Sequence, residues 1–395
     1  MKITRVAPWI VDGPPEEQRP AVPGRVNAGA HLQQYVFVQV DTDEGLTGWG
    51  EVTSYPGGLP NRAVAAYLRE AEPLLVGQDP MHVEALWHRL FRAFTYVGTR
   101  GATTATISAV DIALWDIRGK ALGRPIYDLL GGPVRATVPL YVHFPQGRSV
   151  AEAVEGAMTQ VRGGARAIKT DPFLTSFPER HVAYLDGSCP PDAEEYGVEL
   201  IAGVREAIGP RVELLIDAHA MYNVPTAVRL ANRLAPYGIG WFEEPVPPES
   251  LDALAQVRDQ VPVRICVGER LHTRWEFLPI FQRRLADYVM PDVTWTGGIS
   301  ELKKIATMAE AYYVPITPHD ASGPVNLMAG AHVSMTVPNL YRLEARRISF
   351  GFYDAFLQEP LVVRDGELVV PNKPGLGIEL NPEYLRANAV EGFAG

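Results

Sequence analysis

Three acids recur at one interval: Asp217, Glu243 and Glu269 are each 26 residues from the next. Each stands at the end of a short apolar run, in LLIDAH, WFEEP and VRICVGE. A strand followed by a helix occupies about this length, so the spacing predicts carboxylates at the ends of three consecutive strands. Neighbouring strands of a closed sheet lie ~4.8 Å apart, which brings the three groups together. Bare carboxylates that close repel, and a cation is the natural resolution. Hard oxygen donors favour Mg²⁺, which keeps coordination positions open for water or substrate.

Other strand ends carry complementary groups. Lys169 ends the second strand, with Asp171 two positions on; His219 follows Asp217; Asp292 ends the sixth strand, His319 the seventh and Glu344 the eighth. Taken singly, a lysine here reads as solvated, a histidine as a satisfied loop residue, and an acid as a helix cap. Two histidines and a lysine on the rim of a metal site instead make acid/base chemistry, not a structural ion.

The elements that must hold these groups follow from hydrophobic periodicity. From about 137 to 345, short β-rich runs alternate with amphipathic stretches: TVPLYVHF, ARAIKTD, VELLIDAH, IGWFEEP, VRICVGE, DYVMPD, VPITPHD and LYRLEA. The helical stretch from Ile299 puts Leu302, Ile305, Ala306 and Ala309 on one face. Eight such units predict an α/β barrel of the TIM type over 136–358, because closure gathers all the strand ends at one face. Residues 1–135 read as an α+β domain: antiparallel strands in KITRVAPWIV and HLQQYVFVQVDTDEGLTGWGEV, then three helices, the clearest carrying Ile107, Val110, Leu114 and Ile117 with Gly123 beyond its end. Residues 359–395 form a return segment, with a hairpin about Asp365-Gly366, expected to pack on the front domain.

Composition bounds the partners. The chain has 395 residues, with 47% hydrophobic and 21% charged, enough for two cores. A net charge of −10 argues against a nucleic-acid surface, and an anionic substrate needs a local cation. The N-terminal residues lack the apolar core of a signal peptide, and no run is long enough to cross a bilayer. Cys189 and Cys266 read as free thiols in a reducing cytoplasm.

The motifs ISAVDIALWDIRGK (107–120), IKTD (168–171), LIDAH (215–219), WFEEP (241–245), VGER (267–270), MPD followed by GGISE, TPHD (317–320) and PGLGIEL (374–380), in this order, resemble the enolase superfamily and its mandelate racemase subgroup. The resemblance spans essentially the whole chain. It implies a modified (β/α)7β barrel whose last helix is replaced by a return to a capping domain. It implies that Asp217, Glu243 and Glu269 ligate Mg²⁺, that Asp292 orients His319 as a dyad, and that Glu344, carrying a proton, hydrogen-bonds a substrate carboxylate. Cap loops around 13–30 and 53–60 would choose the substrate, with Arg25, Asn27 and Tyr55 as candidate contacts beside Asp171. An even-numbered homo-oligomer such as an octamer is implied as well.

One departure narrows the reaction. The racemase pattern Lys-x-Lys is here Lys169-Thr170-Asp171, so the second lysine base is missing. Asp217-x-His219 instead resembles galactonate- and gluconate-type sugar acid dehydratases, whose equivalent histidine is a general acid. The expected reaction is abstraction of the C2 proton of an aldonate by His319, an enediolate stabilised by Mg²⁺, Lys169 and Glu344, and loss of the 3-hydroxyl assisted by His219, giving a 2-keto-3-deoxy acid. The alternatives are an epimerase or lactone cycloisomerase with the same metal site, and a non-catalytic metal-binding barrel.

Overall fold

The structure is a computed structural model that describes residues 1–14, 33–52, 59–173 and 186–395. The candidate contacts Arg25, Asn27 and Tyr55 lie outside the described residues. At the front, β1 (Ile3–Asp12), β2 (Gln34–Thr42) and β3 (Thr47–Val52) form an antiparallel meander. Helices α1 (Leu59–Leu75), α2 (Val83–Ala93) and α3 (Ala102–Leu122) follow, with Gly123 closing α3 in the left-handed conformation that glycine adopts without strain. Buried faces of β1–β3 and of the three helices share one apolar core.

The barrel begins after the short α4 (Ile126–Leu129). It runs β4 (Val138–His143), α5 (Val150–Arg162), β5 (Ala167–Thr170), α6 (Pro191–Ile208), β6 (Glu213–Asp217), α7 (Val224–Leu234), β7 (Phe242–Glu243), α8 (Leu251–Arg258), β8 (Ile265–Val267), α9 (Thr273–Arg283), β9 (Tyr288–Val289), α10 (Gly298–Ala311), α11 (Pro324–Ser334) and β10 (Leu343–Ala345). Strands β4 to β9 pair in parallel in chain order, and β10 pairs with β4. The seventh run, VPITPHD, contributes only parallel bridges, Val289↔Ile316, Asp292↔His319 and Ile316↔Leu340. Pro315 and Pro318 bracket it, and a residue without an N–H cannot sustain a ladder. Its backbone still bonds to both neighbours, the Thr317 N–H donating to the Val289 carbonyl and the Tyr341 N–H to that of Ile316.

Beyond β10, β11 (Val362–Arg364) and β12 (Glu367–Val369) form the hairpin about Asp365 and Gly366, both at positive φ. This hairpin departs from the sequence expectation: β12 pairs antiparallel with β4 of the barrel, through Val138 and Pro139, not with the front sheet. The start of β4 runs past its parallel partners and offers free backbone groups there, and the pairing buries Leu368. After α12 (Pro382–Ala387), the last strand, β13 (Ala389–Ala394), does return to the front sheet and pairs with β1.

Front domain and barrel are joined by buried polar contacts. Asp111 of α3 accepts from the backbone N–H (3.0 Å) and the hydroxyl (2.5 Å) of Ser300, in the first turn of α10. The indole of Trp87 donates to the carbonyl of Gly297 at 2.8 Å. Cys189 and Cys266 are both buried and free. Among the described residues no helix is long and apolar enough to cross a membrane.

Candidate active site

A layer of side chains closes the barrel interior beneath the site: Tyr141, Ala167, Leu215, Trp241, Cys266 and Met290, one from each consecutive barrel strand or its end. Strand side chains alternate with period two, so the residue two positions further on points the same way, toward the rim. That rule places His143, Lys169, Asp217, Glu243 and Asp292 at the site. It fails at the fifth barrel strand, where Cys266 leads to Gly268. Gly268 takes φ +140°, which turns the chain so that Glu269 faces inward instead.

The carboxylates of Asp217, Glu243 and Glu269 each offer an oxygen within 4.8 Å of the others. Asp217 and Glu243 are register neighbours and fully buried. The Lys169 ammonium lies among them, 2.6 Å from Glu243 Oε1, 3.3 Å from Asp217 Oδ2 and 2.7 Å from Glu344 Oε1. Burial would lower its pKa, but Glu243, Glu344 and Asp217 hold it well above the usual range. Burial and the charge of Asp217 push Glu243 well up. One lysine therefore does not neutralise this cluster.

The donors fit a hard divalent cation. They are all oxygens, they converge, and Asp217 Oδ2 is buried without accepting a hydrogen bond. Cys266, the nearest candidate soft ligand in sequence terms, packs in the layer below.

Two histidines flank the carboxylates, each with its own acid. His319 Nδ1 is 2.7 Å from Asp292 Oδ2, and its Nε2 is 3.3 Å from Glu269 Oε2. Asp292 is fixed in turn by the backbone N–H and hydroxyl of Thr294, both at 2.7 Å. On the other side, His219 Nδ1 is 2.7 Å from Asp171 Oδ2 and 3.5 Å from Asp217 Oδ1. Burial works against a charge on either ring, yet the surrounding acids prevail: Asp217 and Asp171 raise His219 to about 9, and Glu344, Asp292 and Glu269 raise His319 to about 10. His219 and Ala220 take φ +48° and +56°, a costly backbone for residues with a Cβ. Arg270 stabilises this turn by donating to the His219 carbonyl at 3.0 Å.

Asp171 thus meets His219, and its second oxygen accepts from the Phe173 N–H. Glu344 accepts from the Tyr141 hydroxyl at 2.7 Å and lies 2.5 Å from His143 Nε2. Burial alone would raise it, but Lys169, His319 and His143 hold it well below the usual carboxylate range. His143 and Tyr141 were missed from the sequence, although His143 ends the first barrel run and the strand-end argument applied to it unchanged. Above the site lies a cavity of about 340 Å³ lined by His143, Phe144, Pro145, His219, Asp320, Ala321, Arg346 and Arg347.

Two family models match the chain: the mandelate racemase/muconate lactonizing enzyme N-terminal domain over residues 14–131, and the enolase C-terminal domain-like model over 150–384. The chain belongs to the enolase superfamily. Within it, the chain is 34% identical to a D-galactarolactone cycloisomerase of Agrobacterium fabrum, covering 98% of both chains. It is 32% identical to a D-xylonate dehydratase of Haloferax volcanii, over 91% of this chain and 86% of that one. A solved mandelate racemase/muconate lactonizing enzyme-like protein from Rubrobacter xylanophilus superposes with a TM-score of 0.86 at 34% identity, covering 100% of this chain and 99% of that one. This superfamily member has the α/β architecture read from its sequence, a capping domain on a modified TIM barrel.

Proposed function

We propose that this enolase superfamily member is a Mg²⁺-dependent sugar acid dehydratase, a hydro-lyase that converts an aldonate to a 2-keto-3-deoxy acid. The observation that carries the reading is the pair of Asp–His couples, Asp171–His219 and Asp292–His319, on either side of one carboxylate cluster. Dehydration needs a base for the C2 proton and an acid for the departing C3 hydroxyl, and each couple supplies one of these.

A divalent cation held by Asp217, Glu243 and Glu269 would supply positive charge to the substrate carboxylate and draw Glu269 away from His319. Lys169 adds a fixed cation where negative charge develops as C2 loses its proton. Asp292 accepts a hydrogen bond from the Nδ1–H of His319, which leaves Nε2 as the basic atom. Nε2 takes the C2 proton. His219, held by Asp171 through Nδ1, gives its Nε2 proton to the C3 hydroxyl, which departs as water. The enol so formed takes a proton at C3 to become the ketone.

His319→Asn abolishes exchange of the C2 hydrogen with solvent deuterium, and His219→Asn keeps exchange while losing keto-acid release. Normal dehydration by either variant refutes its assigned role. A second reading, lactone cycloisomerisation, is favoured by the cycloisomerase matched over 98% of both chains. Product mass separates the two, since dehydration of an open-chain sugar acid loses one water whereas cycloisomerisation of a lactone leaves the mass unchanged. The same reading places the enzyme in the cytoplasm, consistent with two unpaired buried thiols, and as an even-numbered homo-oligomer, which sedimentation tests.

A further inference from the structure

Glu51 belongs to the front domain yet ends beside the proposed base. It lies in β3, is 0% exposed, and its Oε2 accepts the backbone N–H groups of Val325 (3.1 Å) and Asn326 (2.9 Å), in the first turn of α11. Gly323 permits the approach: a Cβ there would collide with Glu51 Oε1 and with the ring of Tyr35. Asn326 is itself buried, and it faces two ways. Its backbone N–H goes to Glu51, while its side-chain amide lies 3.4 and 3.5 Å from the two oxygens of Asp292. Asp292 holds His319 at 2.7 Å.

A continuous line therefore runs from the front sheet through the start of α11 and Asn326 to the Asp292–His319 pair. The amide contacts to Asp292 are at the long end of hydrogen bonding, so a small shift of the helix end breaks them before it breaks anything else.

We infer that Glu51 is a positioning residue for proton abstraction: its grip on α11 sets Asn326 against Asp292 and so orients His319 only when the front domain is docked. This rests on the reading of His319 as the base.

The test uses the full chain with Mg²⁺ and compares Glu51→Gln, Asn326→Ala and the double variant. Three quantities are read: C2 hydrogen–deuterium exchange, kcat against KM, and the ring ¹⁵N resonances of His319, assigned by their loss in His319→Asn. Each single variant slows exchange and kcat together by about 10- to 100-fold, the range a sub-ångström misplacement produces, with KM little changed. Both move the His319 resonances, and the double variant is no worse than the poorer single one, because one line has been cut twice. A folded Glu51→Gln with wild-type exchange and unmoved resonances overturns the inference, as do additive losses. Should Glu51→Gln not fold, Asn326→Ala leaves the domain contact in place, and normal exchange by that variant is equally fatal. If the wild-type enzyme exchanges no C2 hydrogen, the functional reading has failed, and the His319 resonances alone then decide this inference.

Discussion

Lys169→Met isolates the electrostatics on which the site depends. Lys169 is 1% exposed and places its ammonium within 3.3 Å of three carboxylates, those of Asp217, Glu243 and Glu344. Methionine keeps most of the volume and leaves those acids without their cation. Breaking a single buried ion pair by removing one partner costs ~3–5 kcal/mol, and here one partner serves three. Without metal, the variant is therefore expected to lose at least ~3 kcal/mol. A bound cation compensates the same carboxylates, and a ligand at about a hundred times its Kd stabilises by ~2.7 kcal/mol. Since Lys169 and the cation compete for Asp217 and Glu243, saturating Mg²⁺ stabilises Lys169→Met more than wild type and recovers much of the deficit. The assay is urea unfolding of both proteins in EDTA and in Mg²⁺. Catalysis is not recovered, because the charge that opposes the developing anion is gone. A penalty below ~1 kcal/mol in EDTA, or one identical with and without Mg²⁺, refutes the idea that these acids form a cation site that Lys169 shares.

Three further outcomes follow from other buried contacts. His332 is fully buried, accepts from the Tyr127 N–H and donates to the Leu376 carbonyl, and burial pushes its pKa from 6.5 down to about 4. The unfolded chain takes up that proton first, so this contribution is intact above the unfolded pKa and lost as pH falls toward the folded one, by up to ~3 kcal/mol; His332→Gln flattens the slope in a pH series of unfolding curves. Gly50→Ala places a Cβ on the carbonyl of Ala109, so β3 and α3 can no longer meet, and thermal unfolding reports a loss of ~3 kcal/mol or more. Trp87→Phe leaves the buried Gly297 carbonyl without its 2.8 Å donor and costs ~1–3 kcal/mol by denaturant titration.

Much of the site was legible because a parallel barrel converts sequence spacing into spatial neighbourhood. Asp217 and Glu243 come together from a one-unit interval alone. Glu269 shows the limit, since it is off the inward period and reaches the site only through the positive φ of Gly268. The seventh run was legible as a strand by composition, yet two prolines reduce it to bridges. The hairpin about Asp365-Gly366 was legible as local structure, but its partner was not, because turn chemistry says nothing about which open edge lies nearby.

By itself the sequence determined the barrel, the capping domain, the three convergent carboxylates and the two histidines, since these depend on local periodicity and on chain distance between like units. Only the tertiary structure decided that Asp171 serves His219, that Tyr141 and His143 bond Glu344, and that Glu51 reaches across from the front sheet toward Asp292. Those pairings join residues up to a few hundred positions apart, and their partners are chosen by side-chain direction and burial after the domains dock, for which no one-dimensional pattern carries a signal.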